Sequence, residues 1–140
     1  MSFDFFVERF VAGWPAPFSR VPVDEVFGPF VVKRDEFCWT LRYPDGGGAF
    51  CYVKDSPEIT GFTLNRPGGV AIYNSVFEVL RRTPTVAHWG ECAAADPSII
   101  PDLPPEMIEA LGAPLIVKSG QELFDYVTRP MSYTKTPRES

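Results

Sequence analysis

The sequence predicts an α+β fold: a two-layer sandwich of a mostly antiparallel sheet with a central hairpin or meander, one main helix and several short C-terminal helices. Three observations predict it. Residues 37–65 contain three short runs rich in aromatic and β-branched residues, separated by Gly- and Pro-bearing turns. Val70–Arg82 carries apolar residues at the helical period. Fifteen Pro and eleven Gly among 140 residues favour short elements and many turns over a helical bundle. That length suits one domain, placed at residues 1–128, with 129–140 as a polar, flexible tail.

Taken in order, Ser2–Phe10 alternates, with Phe3, Phe5 and Val7 on one side and Asp4 and Glu8 on the other, which predicts a half-buried strand. Gly13–Ser19 is a Pro-broken loop, and Pro22–Phe27 forms a helical turn or two before Gly28-Pro29. Phe37–Tyr43 and Ala49–Val53 flank Pro44-Asp-Gly-Gly-Gly48 as a hairpin. With Gly46 left-handed in a bulged three-residue turn, Tyr43 faces Gly47, Leu41 pairs with Ala49, Trp39 with Cys51 and Phe37 with Val53. This register puts Cys38 and Cys51 on opposite faces and forbids a disulfide between them. Ile59–Asn65 completes the meander.

In Val70–Arg82 the apolar face is Ile72, Tyr73, Val76, Phe77, Val79 and Leu80, with Phe77 placed centrally in the core. Short strands follow at Val86–Trp89 and Ala93–Ala95. Asp96-Pro97 reads as an N-cap and first helical position. Pro105–Leu111 is a short helix closed by Gly112, Leu115–Val117 a buried strand, and Ser119-Gly-Gln-Glu122 a capping box opening a helix over 120–128.

Composition narrows the function classes. Hydrophobic residues are 45% and charged residues 22%, as in globular proteins. A net charge of −5 and a pI near 4.8 argue against nucleic acid or anionic membrane as the main partner, and leave a basic protein partner open. No apolar run approaches the roughly 18–20 residues of a membrane span, and Met1–Val7 lacks a positively charged signal-peptide opening. Three cysteines make no disulfide scaffold. A cytoplasmic location is expected.

Chemistry-bearing residues are sparse. His88 is the single histidine, in Val86-Ala-His-Trp-Gly-Glu-Cys92, and together with Cys92 and Arg66 it would serve a small hydrolytic or ligand-binding domain. Spaced partners for zinc are missing, so no metal is expected, and the plainer reading is a structural imidazole. Asn65-Arg-Pro-Gly-Gly69 precedes the main helix, where Arg66, Gly68 and Gly69 would hold an anion on free N–H groups. The stretch lacks a Walker ending and a dinucleotide fingerprint, and no cofactor is expected. Neighbouring carboxylates such as Asp24/Glu25 and Glu106/Glu109 make poor catalytic dyads.

Charge distribution says more. Between Val86 and Tyr126 stand Glu91, Asp96, Asp102, Glu106, Glu109, Glu122 and Asp125 against Lys118 alone. This is either a docking face for a basic partner or a solvated acidic surface. Among the aromatics, Phe50 and Tyr52 fall on the second face of the hairpin with Cys38, Thr40 and Arg42, and are expected to be covered by helices. Trp14, in its Pro-rich loop, and Trp89 are candidate interface anchors.

Ser2-Phe-Asp-Phe-Phe-Val7, Gly61-Phe-Thr-Leu-Asn-Arg-Pro67 and Leu103-Pro-Pro-Glu-Met-Ile-Glu-Ala-Leu-Gly112 together resemble a group of small bacterial proteins similar to the single-domain immunity or accessory proteins of polymorphic toxin systems. The resemblance spans Ser2 to about Val127 and carries no catalytic motif. It implies a non-enzymatic binding protein that sequesters a secreted, basic toxin domain by occluding its active site. Trp14, Trp89, Glu91, Asp96, Asp102, Glu106 and Glu109 are the expected contacts. The competing classes are the small enzyme or ligand-binding domain above and a structural adaptor.

Overall fold

The computed structural model describes residues 4–90 and 92–128. The strands are β1 (Asp4–Glu8), β2 (Phe10–Val11), β3 (Trp14–Pro15), β4 (Phe18–Ser19), β5 (Val31–Arg34), β6 (Cys38–Arg42), β7 (Gly48–Tyr52), β8 (Glu58–Ile59), β9 (Gly61–Gly68), β10 (Val86–Trp89) and β11 (Cys92–Ala95). The helices are α1 (Val21–Phe27), α2 (Ala71–Arg82), α3 (Pro105–Leu111) and α4 (Gly120–Thr128), with single-turn 3-10 segments at Gly28–Phe30 and a longer one at Pro97–Asp102. Seven strands form one antiparallel sheet in the order β11-β10-β1-β9-β7-β6-β5. The α+β class, the antiparallel sheet and the β6-β7-β9 meander agree with the sequence reading.

Alternation along the strands divides the sheet into two faces. Phe5, Val7, Trp39, Leu41, Cys51, Phe62, Leu64, Trp89 and Cys92 lie buried on the first. Over them pack Val23 and Phe27 of α1, Ile72, Tyr73, Val76, Val79 and Leu80 of α2, and Leu123 and Val127 of α4. Phe5 is clasped between Trp89, stacked at 5.3 Å, and Tyr73, edge-on at 5.9 Å. A smaller cluster closes one end of the second face, where Val86, Ala93 and Ala95 meet Leu103, Met107, Ile108 and Leu111. Among the described residues no further apolar cluster covers the rest of that face.

The hairpin register matches the expectation residue for residue: Trp39 pairs with Cys51 and Leu41 with Ala49, while the Tyr43 N–H donates to the Gly47 carbonyl at 2.9 Å. Gly46 has φ 87, the left-handed position that the bulged turn requires. None of the three cysteines is in a disulfide.

Several expectations need correction. Phe50 and Tyr52 are 43% and 48% exposed, because the C-terminal helices cover only the β10-β11 end of the second face. Phe77 is half-buried at the flank of α2, not central. Leu115–Val117 is no strand: Leu115 makes a single parallel bridge to Ala94, and Ile116 is 44% exposed. The expected strand over Ile59–Asn65 breaks at Thr60, so Ile59 pairs with Phe18 and the main strand runs on to Gly68. Glu91, residues 1–3 and the tail 129–140 lie outside the described residues.

Candidate functional site

Trp14 stands on a tight hairpin. β2 and β3 pair Phe10 with Pro15 and Val11 with Trp14 around a two-residue turn, Ala12-Gly13, in which both φ angles are positive (50 and 84). That is the turn geometry that matches strand twist, and Gly13 supplies half of it without strain. Asp102 locks the turn from outside: its Oδ1 accepts from the Ala12 N–H at 3.1 Å and its carbonyl from the Gly13 N–H at 2.9 Å. A Cβ on Gly13 would stand 3.8 Å from Pro104 and Pro105, so the hairpin tip abuts the start of α3. The exposed pair is therefore apolar and rigidly held, with Trp14 76% and Val11 43% exposed.

The acidic residues of the C-terminal third divide by role. Asp96 caps the Pro97–Asp102 turn, accepting from the Ser98 hydroxyl and, at 3.1 Å, from the Ser98 N–H, which together hold its carboxyl below the usual range. Asp102 braces the Trp14 hairpin, and Glu122 accepts from the Lys118 N–H at 2.8 Å to start α4. Asp125 accepts from Gln121 on the same helix. Glu106 and Glu109 differ: both are exposed on α3, and among the described residues neither has a partner. Trp89, expected as an anchor, is 4% exposed against Phe5 and faces the core, beyond the reach of a docking surface.

His88 lies on the second face, where its ring stacks on Phe6 at 5.0 Å and its Nε2 pairs with the Glu8 carboxylate across β1 and β10. Cys92 pairs with Trp89 in register and is buried on the first face. The sheet itself thus separates the imidazole from the thiol, and no nucleophile–base contact between them exists. Burial also raises the Cys51 thiol well above its ordinary value. Among the described residues no three His, Cys, Asp or Glu side chains gather as metal ligands.

The start of α2 holds an anion of its own. The Asp45 carboxylate, from the β6-β7 turn, accepts from the Ala71 N–H at 3.0 Å and from the Gly47 N–H at 2.8 Å, and these bonds keep its pKa below the ordinary Asp value. The two glycine-rich stretches, read separately as turns, meet here: Gly48 pairs with Gly68, and a Cβ on Gly47 would fall 2.1 Å from the Gly68 carbonyl. Gly69, at φ 85, sits under the same carboxylate. The expected anion cradle of Gly68 and Gly69 is thus filled internally. Arg66 stands apart from it, exposed beside Arg42 in a cleft on the second face.

No signal in the sequence pairs Asp45 with the helix start, Asp102 with the hairpin or Glu8 with His88, since all three bonds join distant segments. Among the described residues no helix is long and apolar enough to cross a membrane. No protein-family model matches the chain, and no curated protein or solved structure does so either.

Proposed function

We propose that the chain is a non-enzymatic binding protein that takes a basic protein partner on the surface formed by Trp14, Val11 and the acidic face of α3. The observation that carries this reading is the Trp14 hairpin. A large ring kept in water on a turn braced by Asp102, against the helix bearing Glu106 and Glu109, is costly to expose, and its backbone is already ordered for docking. Trp is enriched among residues that dominate binding energy, and unpaired rim carboxylates steer a cationic partner toward such an anchor. Under the immunity reading that the resemblance implies, the partner is a toxin domain and docking occludes its active site.

Affinity capture with the wild-type chain, Trp14→Ala and His88→Ala as parallel baits tests the proposal. A basic protein retained by the wild type and His88→Ala, and lost about tenfold or more on Trp14→Ala, supports it. Equal retention by Trp14→Ala removes the hairpin from the interface. Measurable turnover of any substrate that disappears with His88→Ala, in a folded variant, would replace the binding reading with an enzymatic one.

A further inference from the structure

We infer that the cleft between the β6-β7 turn and the bulged end of β9 is a binding site for a small aryl oxyanion, a single planar ring carrying a phosphate or carboxylate, held by Arg42, Arg66 and Phe50. The cleft of about 230 Å3 is lined by these three residues together with Thr40, Leu41, Ala49, Asn65 and Gly46–Gly48. It lies on the second face, remote in role from the Trp14 surface.

Its construction is specific. Gly48 pairs with Gly68 and Phe50 with Asn65, so Arg66 and Pro67 together stand opposite Ala49 alone. Such a bulge re-aims a side chain. Arg66 adopts φ 57, a left-handed conformation that an L-residue enters at a cost, and it does so where it lines the cleft. Arg42 pairs across the hairpin with Gly48, whose missing side chain leaves the cleft floor as bare backbone; a Cβ there would strike the Leu41 carbonyl at 2.1 Å.

Charge is left over at this place. Arg20, Arg81 and Arg82 are engaged by carboxylates, and Arg34 lies over the Trp39 ring. Among the described residues Arg42 and Arg66 have no such partner. The two carboxylates nearest in the chain and the sheet are committed elsewhere, Asp45 to the N–H groups of Ala71 and Gly47, Asp4 to the Asn65 amide at 2.8 Å. Two arginines lining one cleft match an oxyanion, which guanidinium groups bind through paired N–H donors. Phe50, 43% exposed between the short polar Thr40 and Asn65, offers a ring face for stacking. The volume falls below the roughly 300–1,000 Å3 of drug-sized pockets, which limits the ligand to one ring.

Amide chemical-shift titration of the whole chain with phenyl phosphate, benzoate, inorganic phosphate and phenol tests this. Phenyl phosphate or benzoate is expected to saturate shifts at residues 40–50 and 65–68 by about 10 mM, at least about tenfold more tightly than phenol or inorganic phosphate. Whichever of the two binds more tightly names the oxyanion. Arg42→Ala and Arg66→Gly should each weaken it about tenfold; the latter relieves the positive φ and so keeps the fold. Phe50→Ala should weaken phenyl phosphate and leave inorganic phosphate unchanged. Unsaturated shifts at that concentration, shifts away from the cleft, or binding indifferent to both Arg substitutions would overturn the assignment.

Discussion

Asp45 does at one residue what a local N-cap does in most helices. Val70, at the start of α2, has no side-chain cap, so the first free N–H groups would face water without the carboxylate brought across from the hairpin turn. The Ala71 N–H is the main reason its pKa is depressed from 3.8, with the Gly47 N–H second. A carboxyl whose folded-state pKa is depressed contributes stability that is complete above its unfolded value and lost as pH falls through the folded one. Denaturant midpoints of the wild type should therefore drop as pH falls below about 4, and Asp45→Asn should flatten that part of the profile while lowering the midpoint at neutral pH. Parallel profiles would show that the contact contributes nothing. Phe77 and Leu123 make a second residue-scale contrast. Phe77 sits one position, about 100° around the helix, past Val76 at the middle of the buried stripe, whereas Leu123 is 0% exposed under α2. Leu123→Ala should cost about 2–5 kcal/mol, and Phe77→Ala clearly less than the roughly 3–5 kcal/mol of a fully buried Phe. Urea titration of the two variants checks the order.

Elements were legible where local chemistry decides them. The β6-β7 register follows from Gly46 because only a left-handed residue closes that turn, and α4 starts where Ser119 accepts from the Glu122 N–H at 3.1 Å. Val31–Arg34 escaped because it is an edge strand whose pairing with β6 slips between Val31 and Lys33, so no alternation survives in the sequence. Leu115–Val117 misled because an apolar run reads alike whether it pairs along its length or at one residue. The meeting of the two glycine segments was invisible for a different reason: each is a sufficient turn by itself, and their close approach is a tertiary fact. It has a measurable consequence. Gly47→Ala forces a methyl group against the Gly68 carbonyl and should abolish soluble folding or lower the midpoint severely. Gly68→Ala, by contrast, meets nothing within 4 Å at a φ that is not positive, and should change stability by no more than about 1 kcal/mol. Similar thermal midpoints for the two variants would mean that the hairpin tip does not press on β9 as described.

At the scale of the whole molecule, the acidic C-terminal third is two populations that composition could not separate. Asp96, Asp102 and Glu122 close turns and helix starts, and their charges are spent on backbone N–H groups. Glu106 and Glu109 stand exposed on α3, three residues apart on one side of the helix, beside the hairpin that presents Trp14. Among the described residues, this second population carries the charge that the proposed docking would use. Substituting both by Lys changes the local field by four charges without touching a buried contact, so fold stability should move by no more than about 1 kcal/mol per site. Association with the basic partner proposed for the Trp14 surface should slow, and the decline of its rate with added salt should become shallower, because screening then acts on a weaker attraction. Dissociation should change less than association, since these carboxylates flank the anchor and are not buried by it. Stopped-flow rates at low and high salt separate the two effects. A double Lys variant with wild-type association rate and salt slope would assign α3 the role of a solvated surface and leave Trp14 as the sole determinant of docking.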